Sequence, residues 1–259
     1  MLKRLLPVVL SLALLALPLR AAAADYTDIW YLLSESGWGV NLIQAEDVIF
    51  ATFFIYGPDN RPTWYVAIIY RDANGNFAGS LYSTVGPYFG GPWNPANYAA
   101  TLAGTASFYP SSAYQGTLVY SLASGPTVTK TIQRQTLKTI NLNGNYTGGQ
   151  AGAYSGCGSA SSYKDNFDLQ VTQFDNGTAT FQFTYTSGLS CTLSGTLAQY
   201  GQLYTIPSAS YVCSDGLNTT ASMSEIKATA QGIEGRLAAA SVGDGCREDA
   251  SFSGVLLSP

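Results

Sequence analysis

Turn signals interrupt this chain at short intervals. No stretch between them carries the 3.6-residue apolar period of an amphipathic helix, so the pattern specifies β-structure throughout. Glu46-Asp47 separates a strand at residues 39–44 from one at 48–56, and Gly57-Pro58-Asp59-Asn60 ends the latter. A third strand runs over 63–71. Asp72-Ala73-Asn74-Gly75-Asn76 then supplies the Asn-Gly step that tolerates the positive φ of a tight hairpin, and leads into 77–85. Beyond a Gly/Pro/Asn-rich loop at 86–97, strands follow at 99–109, 116–122 and 127–137; a short opener at 28–31 makes about eight.

A change of character falls near residues 137–142. All four Trp precede it and all four Cys follow it, which divides the chain into an aromatic-rich β-domain at 25–138 and a Cys-containing β-domain at 139–259. The second domain opens at 142–149 and continues through strands near 168–174, 178–186, 191–199, 203–213, 222–230, 232–240 and 250–257, with Asp175-Asn176-Gly177 as a strong hairpin turn. The predicted fold is all-β: two tandem antiparallel meanders. Each is a small up-and-down barrel of about eight strands or a barrel-like sandwich, closure being the way to remove edges that invite aggregation.

The strands at 48–56 and 63–70 are apolar on both faces instead of alternating. One face fills the domain interior, and the other must meet something besides water: the second domain, a partner or a second copy.

Residues 1–24 read as a secretory signal peptide, with Lys3 and Arg4 before an apolar stretch at 5–19 and Ala22-Ala23-Ala24 as the cleavage site. About 15 apolar residues interrupted by Pro7 and Pro18 fall short of a spanning helix. The expected destination is secreted or periplasmic. Such a compartment favours disulfides among Cys157, Cys191, Cys213 and Cys246. Three pairings are open, the sequential choice being Cys157 with Cys191 and Cys213 with Cys246. A zinc site is disfavoured by the wide spacing and the lack of any histidine, so neither metal nor cofactor is expected.

Removing residues 1–24 leaves nine basic against sixteen acidic residues, a net charge of −7. Nucleic acid and anionic membrane surfaces both need clustered Lys and Arg, which are dispersed here, so neither is an expected partner. The missing histidine removes Ser-His-Asp and Cys-His chemistry together. Ser161-Ser162-Tyr163-Lys164 matches Ser-x-x-Lys but reads as a polar loop without companion motifs. Asp72-x-Asn74-x-Asn76 imitates half a calcium loop, yet Phe77 and Ser83 stand where its Gly and Glu belong, so it reads as a turn. No catalytic residue is assigned. A carboxylate pair drawn together by folding remains the enzymatic alternative, with Glu35 the first acid to suspect, and a structural envelope-associated protein is the third class.

The segments Ser34-Glu35-Ser36-Gly37-Trp38-Gly39-Val40-Asn41-Leu42, Ile49-Phe50-Ala51-Thr52 and Pro62-Thr63-Trp64-Tyr65-Val66 resemble a functionally uncharacterised secreted proteobacterial β-module. Relatives occur alone or appended to exported hydrolases, which implies an accessory or binding role. They usually carry Asn-Pro where this chain has Leu32-Leu33. With the aromatic density of the first domain, the resemblance makes Glu35, Trp38, Asn41, Trp64, Tyr65 and Trp93 the candidate ligand-binding residues. The expected partner is a small molecule, a glycan or another protein, a second copy included.

Overall fold

A computed structural model describes residues 24–157, 160–240 and 245–258. Of the predicted signal peptide, residues 1–23 lie outside the described residues. The fold is all-β, with two closed eight-stranded antiparallel barrels in tandem. In the first, β1 (Asp28–Tyr31), β2 (Gly39–Ala45), β3 (Val48–Tyr56), β4 (Pro62–Arg71), β5 (Phe77–Val85), β6 (Ala99–Pro110), β7 (Gln115–Leu122) and β8 (Thr127–Arg134) pair in chain order, and β1 pairs with β8 to close the ring. The second is built from β9 (Gly144–Ser155), β10 (Ser161–Gln173), β11 (Thr178–Tyr185), β12 (Ser190–Thr196), β14 (Leu203–Cys213), β15 (Asn218–Ala228), β16 (Gly232–Ala240) and β17 (Arg247–Ser258). It closes where β17 pairs with β9, while the three-residue β13 (Ala198–Tyr200) peels off beside β14 and leaves β12 to pair with β14.

The turns behave as their residues dictate. Asp72 Oδ1 accepts from the Asn74 and Asn76 amides, both at 2.8 Å, so this segment is a hairpin turn. Those backbone bonds, that from Asn76 foremost, hold the Asp72 carboxyl below its ordinary range.

Two sequence expectations need correction. Ser161–Lys164 is not a loop: it begins β10, in register with residues 151–154 of β9. The sequential cysteine pairing is also replaced, since Cys157 joins Cys246 and Cys191 joins Cys213. The first bond links the end of β9 to the start of β17, where the ring closes; the second joins residues directly opposite on β12 and β14. Two disulfides point to an oxidising, extracytoplasmic compartment.

Each barrel has its own core. Trp30, Phe53, Phe77 and Phe108 fill the first; Phe167, Phe181, Phe183 and Ile206 are among those filling the second. Period-two alternation explains both, because every second side chain of a closed sheet points inward.

Where the barrels meet, the turn after β13 lies on the end of the first barrel. The Gly201 amide donates to Thr136 Oγ1 at 3.1 Å, the Tyr200 ring lies 5.2 Å from Tyr114, and the Tyr114 hydroxyl accepts from the Glu225 amide at 2.7 Å. Gly201 holds φ +62°, and a Cβ there would strike the Asp28 carboxylate. Gly201→Ala is therefore expected to cost about 1–3 kcal/mol, the penalty of a left-handed non-glycine residue plus the collision. Urea denaturation measures it, and an unchanged midpoint would show that the hairpin yields freely.

Candidate functional site

Strand β8 carries two cations on its inward row, Lys130 and Arg134, flanking Ile132. Four residues of strand separate them by most of the barrel's depth, so each reaches a different end. At the end facing the second barrel, Arg134 Nη1 donates to Asp28 Oδ2 at 3.1 Å, both side chains being 2% exposed. Its other bonds run to the Ala113 carbonyl at 2.7 Å, the Thr27 carbonyl at 3.0 Å and the Asp25 carbonyl. The guanidinium also lies 5.0 Å from the Trp30 ring centroid.

The far mouth repeats the arrangement in more open form. The β1–β2 loop bends back through a bond from the Glu35 amide to the Leu32 carbonyl, and Gly37 takes a positive φ of 103°. This brings Glu35 over Lys130, whose Nζ donates to Oε1 at 2.8 Å and to Oε2 at 2.7 Å. Trp38 Nε1 donates to Glu35 Oε2 at 3.1 Å, and the ammonium lies 5.9 Å from the Trp38 ring. The bond from Lys130 is the main cause that holds the Glu35 carboxyl below its ordinary value. Glu35 is thus an ionised latch; a general acid would need the opposite shift. Tyr65 and Tyr120 pack below it against the core.

The structure divides the six sequence-predicted residues. Glu35 and Trp38 meet at the mouth, and Tyr65 turns inward with them. Asn41 and Trp64 point out of the barrel on β2 and β4, so Trp38 and Trp64 do not line a common cavity. Trp93 stands exposed on the β5–β6 loop, 6.5 Å from the Tyr98 ring, beside a 3-10 turn at Pro95–Asn97 capped by Asn94.

Trp64 belongs instead to an outward apolar face. Cross-strand register aligns Ile43 with Phe50 and Phe50 with Ile68, and sets Phe54 opposite Trp64. With Tyr70, these side chains keep 42–58% of their surface exposed, so the second barrel does not cover them. No charged residue occurs between Asp47 and Asp59, between Arg61 and Arg71, or between Asp72 and Lys130.

Sequence reasoning missed Lys130, Arg134 and Asp28, although their inward parity on β8 and β1 was readable. It also missed a polar cluster inside the second barrel, at the end bearing both disulfides. There the Tyr163 hydroxyl donates to Glu248 Oε1, Gln150 Nε2 donates to the same oxygen at 3.2 Å, and the Tyr185 hydroxyl donates to Gln150 Oε1 at 2.8 Å. Tyr154 stacks on Tyr163 at 5.1 Å. Burial pushes the Tyr163, Tyr185 and Tyr211 hydroxyls far up and keeps them protonated as donors.

Burial is also the main cause that raises the Glu248 carboxyl above its ordinary 4.5. An acid with a raised folded-state pKa contributes stability below its unfolded value and loses it as pH rises through the folded one. Glu248→Gln is therefore expected to match the wild type near pH 4 and to exceed it at neutral pH. Denaturation midpoints across that range test this, and a difference that stays flat with pH would refute it.

An open groove of about 580 Å³ crosses the outside of the second barrel, floored by Gly149, Ala151, Ser251 and Ser253 and flanked by Lys164 and Arg236. Its walls mix both charge signs, with Glu225 held by Arg236 at 3.3 Å. Among the described residues, no group of three or more His, Cys, Asp or Glu is placed to hold a metal ion.

No protein-family model and no curated protein matches the chain. Among solved structures, it is similar to a provisionally named outer membrane protein from Bacteroides fragilis at 12% identity and a TM-score of 0.36, over 90% of this chain and 97% of that one. It is also similar to a protein with unknown function of the DUF3598 family from Nostoc punctiforme, at 9% identity and a TM-score of 0.29, over 91% of this chain and all of the other. Likeness at these scores carries no argument about activity.

Proposed function

We propose that this chain is an exported, non-catalytic binding or accessory protein that meets its partner through the outer face of the first barrel. The observation that carries the reading is the placement of apolar side chains: both interiors hold packed cores, yet Ile43, Phe50, Phe54, Trp64, Ile68 and Tyr70 still face outward. Contiguous apolar surface of this kind marks an interaction site. The state of Glu35 fits the same reading in one respect: a carboxyl paired with Lys130 and held below its ordinary range is ill suited to the general-acid role.

The test is a panel of glycan, ester and peptide substrates assayed with the wild type and with Glu35→Gln. The expected result is no saturable turnover by either. Turnover that the substitution abolishes would replace this reading with a carboxylate-dependent hydrolase.

A further inference from the structure

We infer that the partner on the β2–β4 face is a second copy of this chain, paired about a two-fold axis. The inference rests on the functional reading above and names the occupant of that same face. The face is aliphatic and aromatic in rows. Ile43, Phe50 and Ile68 form one line across three strands, and Phe54 with Trp64 forms another nearer the open mouth. Its side chains offer few donors, few acceptors and no formal charge, so nothing on it selects a charged or hydrogen-bonding partner. A copy of the same face is its chemical complement.

Charge argues in the same direction. The chain from residue 25 onward carries a net −7, so two copies repel each other wherever their charged parts approach. Contact through a patch without ionised groups keeps that repulsion smallest. Area reaches the lower bound: four half-exposed aromatic rings and two isoleucines present about 500 Å² per copy, and two faces together come to the roughly 1,000 Å² that a reversible specific interface must clear.

Lipid is the poorer fit. A barrel that crosses a membrane carries its apolar band all the way round. Here the band gives way on the opposite side to paired hydroxyls, with Thr117 beside Thr131 and Ser121 beside Thr127.

The test is sedimentation velocity on the chain expressed with its own N-terminus and recovered as processed, from nanomolar to high micromolar concentration. A reversible dimer is expected. Ile68→Lys should weaken it by about a hundredfold, since each copy then buries an unpaired ammonium near the axis. Thr129→Lys, on the hydroxyl side, should leave it unchanged. Should Ile68→Lys fail to fold, the wild type supplies a second readout: Trp64 emission should shift to the blue as concentration rises, and Trp64→Phe should remove that shift.

A monomer at every concentration, a dimer untouched in folded Ile68→Lys, or a Trp64 emission that ignores concentration would each overturn the inference. So would a monomer that floats with phosphatidylcholine vesicles, which would give the face to lipid. None of these outcomes bears on the turnover assay, so the functional reading stands or falls separately.

Discussion

Asp28→Ala is expected to remove about 3–5 kcal/mol from the unfolding free energy of the first barrel, because it strands the Arg134 guanidinium in a site where that side chain is only 2% exposed. Three backbone carbonyls remain around the cation, those of Asp25, Thr27 and Ala113, but they supply no formal charge. The double variant Asp28→Ala with Arg134→Met should recover part of the loss, since a flexible apolar side chain fills the space without a buried charge. Urea denaturation followed by tryptophan emission measures both, with Trp30 beside Arg134 as a local reporter. A loss below about 1 kcal/mol, the scale of an exposed pair, would mean that water reaches this site.

The second large effect belongs to the disulfides. Replacing both members of a pair with serine avoids leaving a free thiol. In the chain-entropy account, the Cys157–Cys246 bond closes 89 residues and contributes about 4.5 kcal/mol, while Cys191–Cys213 closes 22 and contributes about 3.5 kcal/mol. The Cys157→Ser, Cys246→Ser protein is thus expected to be the less stable of the two double variants. Peptide mapping without reduction tests the connectivity directly. Recovery of a peptide linking Cys157 to Cys191 would contradict the closure of the second barrel described above.

Much of the architecture was readable from local chemistry. The β3–β4 and β4–β5 hairpins were legible because Gly57-Pro58-Asp59-Asn60 and Asp72-Ala73-Asn74-Gly75-Asn76 fix their turns and apolar runs fill the strands between. The β9–β10 pair was not. Gly148, Gly149 and Gly152 make β9 look like a loop, yet two of these glycines answer to close approach by neighbouring strands. A Cβ on Gly148 would strike the Ser253 carbonyl, and one on Gly152 would lie 2.7 Å from the Tyr163 ring. Such reasons are tertiary and leave no local signature.

The same limit governs the residues of the candidate site. Inward parity marks Lys130 and Arg134 as charges pointing into a barrel, but the partner that the β1–β2 loop brings to Lys130, Glu35, lies 95 residues away in sequence. Cysteine pairing failed for a related reason. Chain order suggested neighbours, whereas ring closure joins the first strand of the second barrel to its last. Of the six predicted binding residues, Glu35 and Trp38 were brought together because a short loop holds both. Asn41 and Trp64 went elsewhere, because period two sends them to the outside.

Both covalent links of the second barrel tie the end remote from the first barrel, so opening there is held in check while the strand ends near Gly201 are held only by non-covalent contacts. Amide exchange should therefore progress like a zip released from one side. Protons on the first residues of β14 should wash out before those beside Cys213, and loss of the β13 hairpin's grip on its neighbour should steepen that gradient.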